Sequence, residues 1–142
     1  MTQAPLMDRI HITEDYDVPR VINGGWQLSA GHALERPLDL ADASRAFNRL
    51  IDMGFDTFDC ADIYTGVEDF FGGIIRERRK AGLRLPQIHT KFVPDLNDLA
   101  NVTPAYIENI ITRSLRRLGV ERLDAVQFHW WDYSVPGMVD VA

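Results

Sequence analysis

The sequence predicts an α/β fold built on a parallel sheet, and three observations carry that prediction. Short apolar runs begin near positions 21, 56, 87 and 123, and a helical pattern fills each gap between them. Each gap is about as long as the crossover that joins two parallel strands. Alternate residues of these runs are polar on one side and apolar on the other. This alternation favours a barrel wall with a wet interior over a flat sheet that is buried on both faces.

The first elements are expected to be a hairpin, two barrel strands and one helix. Residues 9–12 and 18–22 alternate around an acidic turn and indicate the hairpin, and residues 19–25 are the predicted first barrel strand. Asp39 or Asp42 can cap the helix, which Gly54 should end. Its apolar residues recur at helical spacing and are Ala43, Phe47, Leu50 and Ile51. The predicted second strand covers residues 55–59.

The later elements repeat the order of strand and helix. Apolar residues at 70, 71, 74 and 75 predict a helix that ends near Gly82, and residues 87–92 are the third strand. Thr103 and Pro104 are a strong helix start, because the hydroxyl caps free amides and proline at the first helical position loses no needed donor. This helix should end at Gly119, and the fourth strand covers residues 123–129.

Composition indicates an ordinary globular chain that does not bind nucleic acid. The 142 residues are 46% apolar and 25% charged, so we expect one domain over residues 1–142. The net charge of −6 gives no basic footprint for nucleic acid. The densest basic runs, at 76–80 and 113–117, fall on helical patterns and are expected to be solvated faces.

The cysteine content and the N-terminus favour the cytoplasm. Cys60 is the single cysteine, which excludes an internal disulfide framework, and we expect it to be a buried filler. The N-terminus has no basic leader or long apolar core for export. No apolar stretch approaches the ~18–20 residues that span a bilayer, so no membrane association is expected.

Four polar residues follow the predicted strands, where parallel strands would bring their side chains to one rim: Asp59, Tyr64, Lys91 and His129. Reducing a carbonyl with a nicotinamide requires a proton donor at the oxygen, where negative charge develops. Tyr64 can be that acid if a cation stabilises its phenolate, because an unperturbed tyrosine has a pKa of about 10. Lys91 is the candidate cation and Asp59 its counter-charge. His129 would orient the substrate carbonyl.

The stretches that carry these residues, 56–64, 89–92 and 128–130, resemble the active-site tetrad of the aldo-keto reductases in order and approximate spacing. The resemblance assigns the same roles to the four residues. It implies NADPH as the cofactor and an aldehyde or ketone as the small-molecule substrate. It also implies a TIM-type (β/α)8 barrel, which typically takes ~250 residues. The chain is therefore expected to form the first four strand-helix units, a parallel half-barrel.

The resemblance also suggests binding residues. The segment 23–26 is similar to the glycine-containing end of the family's first strand, which implies that Gly24, Gly25, Trp26 and Asp59 contact the cofactor. A bend before a loop explains the two glycines equally well. Trp26, Trp130 and Trp131 are candidate walls of a substrate pocket, although anchoring of the loop after His129 explains Trp130 and Trp131 as well.

A half-barrel has consequences for assembly. In the family the adenosine end of the cofactor is held largely by later strands and loops, so we expect a lone copy of this chain to bind NADPH weakly. Four parallel strands leave two open edges, which invite self-association.

Two alternatives to a reductase stay open. Asp59, His89 and His129 could bind zinc in a metal-dependent barrel hydrolase, since carboxylate and imidazole groups suit zinc. That arrangement lacks a His-x-His pair and leaves Tyr64 and Lys91 unused, so no metal is the expectation. The other alternative is a non-catalytic half-barrel that acts only as an interaction module.

Overall fold

A computed structural model describes residues 7–30 and 38–142 as a parallel sheet with helices on one face and a hairpin at one end. The hairpin pairs β1 (Arg9–Thr13) with β2 (Tyr16–Pro19). The parallel strands lie side by side in chain order, β3 (Asn23–Gly24), β4 (Thr57–Asp59), β5 (Gln87–Phe92) and β6 (Ala125–Phe128). The α-helices are α1 (Leu40–Asp52), α2 (Val67–Lys80), α3 (Pro104–Leu118) and α4 (Met138–Val141), and short 3-10 helices cover Trp26–Leu28 and Leu96–Asn101. The predicted α/β parallel sheet is therefore confirmed.

The bounds of the first barrel strand were predicted wrongly. Pro19 ends β2 and pairs with Arg9 of the hairpin, and only Asn23 and Gly24 form β3. The reason is that residues 16–19 find their hydrogen-bonding partners in β1, whereas the chain turns into a 3-10 helix directly after Gly25. The predicted hairpin and the third strand, residues 87–92, are confirmed.

Helix starts follow the side-chain caps in the sequence. Asp39 is the cap of α1, because its Oδ1 accepts the backbone N–H groups of Ala41 and Asp42 at 2.9 and 3.1 Å. Thr103 caps α3 by accepting the N–H of Tyr106 at 3.2 Å, with Pro104 as the first helical residue. The choice between Asp39 and Asp42 is thereby settled in favour of Asp39.

The hydrophobic core lies between the outer face of the sheet and the helices. Phe58 and Ile88 point from β4 and β5 into this layer, where the ring of Phe58 stacks on Phe71 of α2 at 5.3 Å. Cys60 is also fully buried there, as predicted. By contrast, Val126 is 44% exposed on the outer face of the edge strand β6. The apolar outer face is thus covered at its centre and open at this edge.

The hairpin is held against the start of the sheet by polar contacts. Arg9 donates to the buried carboxylate of Asp56 at 2.8 Å and to Asp17 at 2.8 Å. Tyr16 Oη lies 2.8 Å from His89 Nε2 on the inner face of β5. Burial raises the pKa of Tyr16 to about 12 and lowers that of His89, so this contact joins two neutral groups at neutral pH.

The prediction that both basic runs are solvated faces was wrong for Arg78, whereas Arg113 and Arg117 are partly exposed and also pair with other elements. Arg78 is buried and donates to Asn48 and Asp52 of α1 at 2.8 and 2.7 Å. Arg113 and Arg117 reach from α3 to buried carboxylates near the carboxyl ends of β4 and β5. Helical periodicity identified the helices but did not show that these positions face other elements. Among the described residues, no helix is both long and apolar enough to cross a membrane.

The contact between α2 and α3 requires a glycine, and this predicts a stability difference between two neighbouring positions. A Cβ at buried Gly72 would overlap the carbonyl oxygen of Arg117, whereas one at Gly73 would meet only the end of the Arg76 side chain at 3.9 Å. We expect Gly72→Ala to lower the free energy of unfolding by on the order of 1–3 kcal/mol. The matched control Gly73→Ala should leave it unchanged or raise it by up to about 1 kcal/mol. Urea denaturation checks both, and equal effects would contradict this account of the helix contact.

Candidate active site

Parallel pairing brings the predicted site residues to one end of the sheet. Asp59 is the Cα partner of Gly24 on one side and of His89 on the other. Lys91 is the partner of Gln127, two residues before His129. All these residues lie on the inner face, because side chains of a strand alternate between faces. Asp59, Lys91 and His129 therefore all lie at the carboxyl end of the sheet, where barrel enzymes carry their sites.

The ammonium of Lys91 is the centre of this arrangement. Its Nζ lies 2.7 Å from Asp59 Oδ2 and 2.8 Å from the carbonyl oxygen of Cys60. It also lies 5.2 Å from the centroid of the Tyr64 ring. Only 17% of the Lys91 side chain is exposed. The charge is therefore paired with one carboxylate and lies beside one phenol ring, as the sequence predicts.

The loop after β4 places Tyr64. Its backbone N–H donates to Ala61 at 3.1 Å, and its carbonyl accepts the N–H of Val67 at 3.0 Å as α2 begins. Between them Gly66 has a φ of 81°, which favours glycine because it has no Cβ. The side chain of Tyr64 is half-buried against the hydrophobic core. The tight turn after β4 thus places Tyr64 at the carboxyl end of that strand.

His129 lies at the end of β6, apart from the other three residues. Its backbone N–H donates to the carbonyl of Phe92 at 3.0 Å, which extends the pairing of β5 with β6. Its ring packs edge-on against Trp131, with the centroids 4.5 Å apart. Within ranges 7–30 and 38–142, no hydrogen bond links His129 to Asp59, Tyr64 or Lys91. The structure brings Asp59 and Lys91 into contact, places the Lys91 ammonium over the Tyr64 ring, and leaves the imidazole of His129 at the rim.

The two glycines at the end of β3 differ in their surroundings. A Cβ on Gly24, beside Asp59, would meet nothing within 4 Å. A Cβ on Gly25 would lie 3.0 Å from the side chains of Val67 and Phe71. Close packing against α2 therefore explains why position 25 is a glycine. The open position is Gly24, where a ligand can approach the backbone next to Asp59.

The tryptophans after His129 have different environments. Trp130 is 5% exposed and donates its indole N–H to the carbonyl of Val135 at 3.3 Å, so it anchors the loop. Trp131 is 48% exposed and donates to the carbonyl of Pro94 at 2.9 Å. It lines a groove of 610 Å³ with Ile63, the neighbour of Tyr64. Trp26 is also exposed, in the 3-10 helix after β3.

A buried polar network behind the Tyr64 loop was missed by the sequence analysis. The carboxylate of Asp62 is fully buried and accepts from Arg113 at 2.8 Å and from the Val93 N–H at 3.1 Å. The neighbouring Glu68 accepts from Thr90 at 2.7 Å and from Arg117 at 3.2 Å. The sequence does contain a signal for this network. Arg113 and Arg117 are four residues apart on one face of α3, and Asp62 and Glu68 are two acidic residues that can pair with them. The network fixes both ends of the segment that contains Tyr64.

Asp62 also lines a cavity of 740 Å³ between the Tyr64 loop and α3. Burial raises the pKa of Asp62 to about 6, and Arg113 only partly opposes this effect. This carboxyl is therefore ionised at neutral pH and takes up a proton in a mildly acidic range.

The alternative of a zinc site finds little support. His89 Nε2 is occupied by Tyr16, and the two oxygens of Asp59 are occupied by Lys91 and Gln127. In the part of the chain that the structure describes, no group of three His, Cys, Asp or Glu residues is placed to hold a metal ion.

The comparison with known proteins agrees with the fold and gives the family. The model of the aldo/keto reductase family matches residues 20–142. The fold is similar to that of a Pseudomonas aeruginosa protein described as an aldo-keto reductase, with a TM-score of 0.73 and 20% identity over 95% of this chain and 51% of that one. It is also similar to the holo form of the Bacillus halodurans aldo-keto reductase, with a TM-score of 0.69 and 24% identity over 94% and 43% of the two chains.

A Bombyx mori aldo-keto reductase in complex with NADP is similar at a TM-score of 0.63 and 22% identity, over 87% of this chain and 38% of that one. The chain thus spans about half or less of the length of these three structures. Similarity at this level of identity shows the fold. The four strand-helix units correspond to half of a TIM-type barrel, so the predicted half-barrel is confirmed.

The raised pKa of Asp62 predicts a specific pH dependence of stability. A carboxyl that holds its proton more tightly in the folded state loses stability as pH rises from the unfolded pKa, 3.8, to the folded pKa, about 6. Asp62→Asn keeps one acceptor oxygen, for either Val93 or Arg113, replaces the other oxygen by an NH₂ group, and does not titrate. We therefore expect the stability of the wild type relative to Asp62→Asn to fall by up to about 3 kcal/mol across this range and to be constant above it. Denaturant unfolding of both proteins from pH 4 to 7 measures the difference, and parallel curves would contradict the assignment.

Proposed function

Because the chain belongs to the aldo/keto reductase family, we propose that it functions in the NADPH-dependent reduction of aldehydes or ketones with Tyr64 as the proton donor. The observation that carries this proposal is the position of Lys91. Its ammonium contacts Asp59 at 2.7 Å and lies 5.2 Å from the Tyr64 ring centroid. A cation beside a phenol favours the phenolate that proton donation leaves behind.

Each of the three grouped residues has a separate task in this proposal. Tyr64 donates its hydroxyl proton to the carbonyl oxygen as negative charge develops there. Lys91 stabilises the resulting phenolate. Asp59 pairs with Lys91 at 2.7 Å and holds its ammonium in a site that is largely shielded from solvent. These tasks require Lys91 to lie close to both other residues, and its Nζ lies 2.7 Å from Asp59 Oδ2 and 5.2 Å from the Tyr64 ring centroid.

His129 and the exposed tryptophans are proposed to receive the substrate. His129 at the rim can hydrogen-bond the carbonyl oxygen and orient it towards Tyr64. Trp131 lines the groove beside Ile63, and Trp26 is exposed at the end of β3. Both can cover the apolar part of a substrate. The burial of Trp130 makes it a support for this loop, so a direct contact with substrate is less favoured than for Trp131.

The cofactor is proposed to approach the sheet at the end of β3. NADPH, when bound, supplies the hydride that the carbonyl carbon accepts. The space beside Gly24, next to Asp59, is open, and this is where the nicotinamide ring is proposed to approach the backbone. Gly24, Gly25, Trp26 and Asp59 are the residues proposed to hold it, with Gly25 acting by allowing the close packing of β3 on α2.

We also infer that residues 1–142 form one domain with open sheet edges. β3 and β6 each have a single neighbour within the described parts of the chain. The exposure of Val126 on β6 agrees with an edge that pairs further. Self-association through these edges and the cytoplasmic location both remain predictions.

The role of Tyr64 predicts a selective loss of turnover. Tyr64→Phe removes one hydroxyl and keeps the ring that packs on the core, so the unfolding midpoint and NADPH affinity should be nearly unchanged. The rate of aldehyde reduction, followed by NADPH absorbance, should fall by about 10²–10⁴ because general acid catalysis typically contributes that much. Tyr106→Phe is the matched control, since Tyr106 caps a backbone N–H of the neighbouring loop instead. A Tyr64→Phe protein that keeps most of the activity would show that another group donates the proton.

Assembly and cofactor binding are expected to occur together. Size-exclusion chromatography combined with NADPH titration measures both on the same sample. We expect weak NADPH binding by the monomer, and turnover only in an assembled species in which the edges of the sheet are paired. A monodisperse 16.2 kDa monomer that binds NADPH at micromolar concentration and reduces an aldehyde would contradict this expectation.

A further inference from the structure

Gln127 of β6 contacts the ion pair that Asp59 and Lys91 form. Its Nε2 lies 3.1 Å from Asp59 Oδ1. Its Cα partner in the sheet is Lys91, so the glutamine side chain crosses over β5 to reach a residue of β4. The hydrogen bond therefore links the first and third of three consecutive strands on the inner face.

The chemistry of the two groups fixes the direction of this hydrogen bond. An ionised carboxylate only accepts, so the amide must present its NH₂ end to Asp59. The two oxygens of Asp59 are then divided between two donors, with Oδ2 bound to Lys91 at 2.7 Å and Oδ1 bound to Gln127 at 3.1 Å. A carboxylate with one donor on each oxygen cannot rotate about its Cβ–Cγ bond without losing a hydrogen bond.

The orientation of Asp59 determines the position of Lys91. The second acceptor of Lys91, the carbonyl of Cys60, belongs to the backbone and is fixed by the strand. The position of the ammonium beside the Tyr64 ring therefore depends on where Asp59 Oδ2 points. Gln127 is also two residues before His129 on the same strand. It thus connects the strand that bears His129 to the ion pair beside Tyr64.

We propose that Gln127 is a positioning residue for the reductase site, which orients Asp59 so that Lys91 stays beside Tyr64. This inference rests on the proposed function, because its consequence for the rate requires Tyr64 to be the proton donor. The predicted effect on the position of Lys91 does not depend on the proposed function and can be measured without turnover. The two consequences are measured separately.

The test compares Gln127→Met, Gln127→Glu and the control Gln87→Met with the wild type. Gln127→Met keeps the length of the side chain and removes the donor, so we expect kcat to fall by about 3- to 10-fold, the amount expected for one hydrogen bond, with KM unchanged. Gln127→Glu places a second carboxylate against Asp59 and should lower kcat further at neutral pH. The kcat of Gln127→Glu should rise relative to that of Gln127→Met as the pH falls towards about 4 to 5, where the glutamic acid regains a proton to donate.

Gln87→Met is the matched control because Gln87 is the same residue type on the inner face of β5. Its amide contacts Thr57 and the carbonyl of Asp17 in the hairpin. This variant should lower the unfolding midpoint and leave kcat and its pH profile unchanged. A merely structural role for Gln127 would give the same pattern as Gln87→Met, and that result would overturn the proposal.

Nuclear magnetic resonance supplies the readout that does not need turnover. The ¹⁵Nζ signal of Lys91 reports how fast its ammonium protons exchange with water, and we expect several-fold faster exchange in Gln127→Met than in the wild type and in Gln87→Met. Unchanged exchange in Gln127→Met overturns the proposal whatever the activity, and so does faster exchange with an undiminished kcat. Faster exchange in an assembled sample whose wild type reduces no aldehyde or ketone retains the positioning of Lys91 and rejects the proposed function.

Discussion

The ion pair between Lys91 and Asp59 is the interaction on which the site depends. It joins neighbouring parallel strands at their carboxyl ends, and it places a cation beside Tyr64 in a largely shielded position. Removing either partner would leave a half-buried charge unpaired, which costs more than the pair itself contributes. The pair therefore contributes little net stability, and the surrounding contacts of Cys60 and Gln127 hold it in one geometry.

A second layer of polar contacts restrains the loop that carries Tyr64. Asp62 and Glu68 are both buried, and each is satisfied by an arginine of α3 and by a group on or just beyond β5. Buried carboxylates are tolerated only with such partners. The close approach of α2 and α3 at Gly72 brings the helix that carries these arginines towards the loop. Helix packing on the outer face thus supports the geometry of a site on the inner face.

The outer and inner faces of the sheet differ in how much of each is covered by other elements. The outer face has a packed core at its centre, with Phe58 against Phe71 and Ile88 beside them. The inner face is covered by the hairpin at one end, through Arg9 and Tyr16, and is open at the other end, where the site lies. This asymmetry agrees with a half-barrel, in which helices cover the centre of the outer face while the inner face stays open at the site.

The sequence by itself determined the parallel fold, the cap at Thr103, the bounds of β5 and the candidate role of Lys91, because each depends on local periodicity or on a residue type at a strand end. Only the tertiary structure decided which residues complete the network. Gln127 shares its face with Lys91 by alternation, but its contact with Asp59 crosses a strand and depends on the twist and spacing of the sheet. Arg113 has the periodicity of a solvated helix face and is partly exposed, but it also pairs with a buried carboxylate 51 residues away in the chain. Contacts at such separations follow from how the elements pack, and a local pattern does not contain that information.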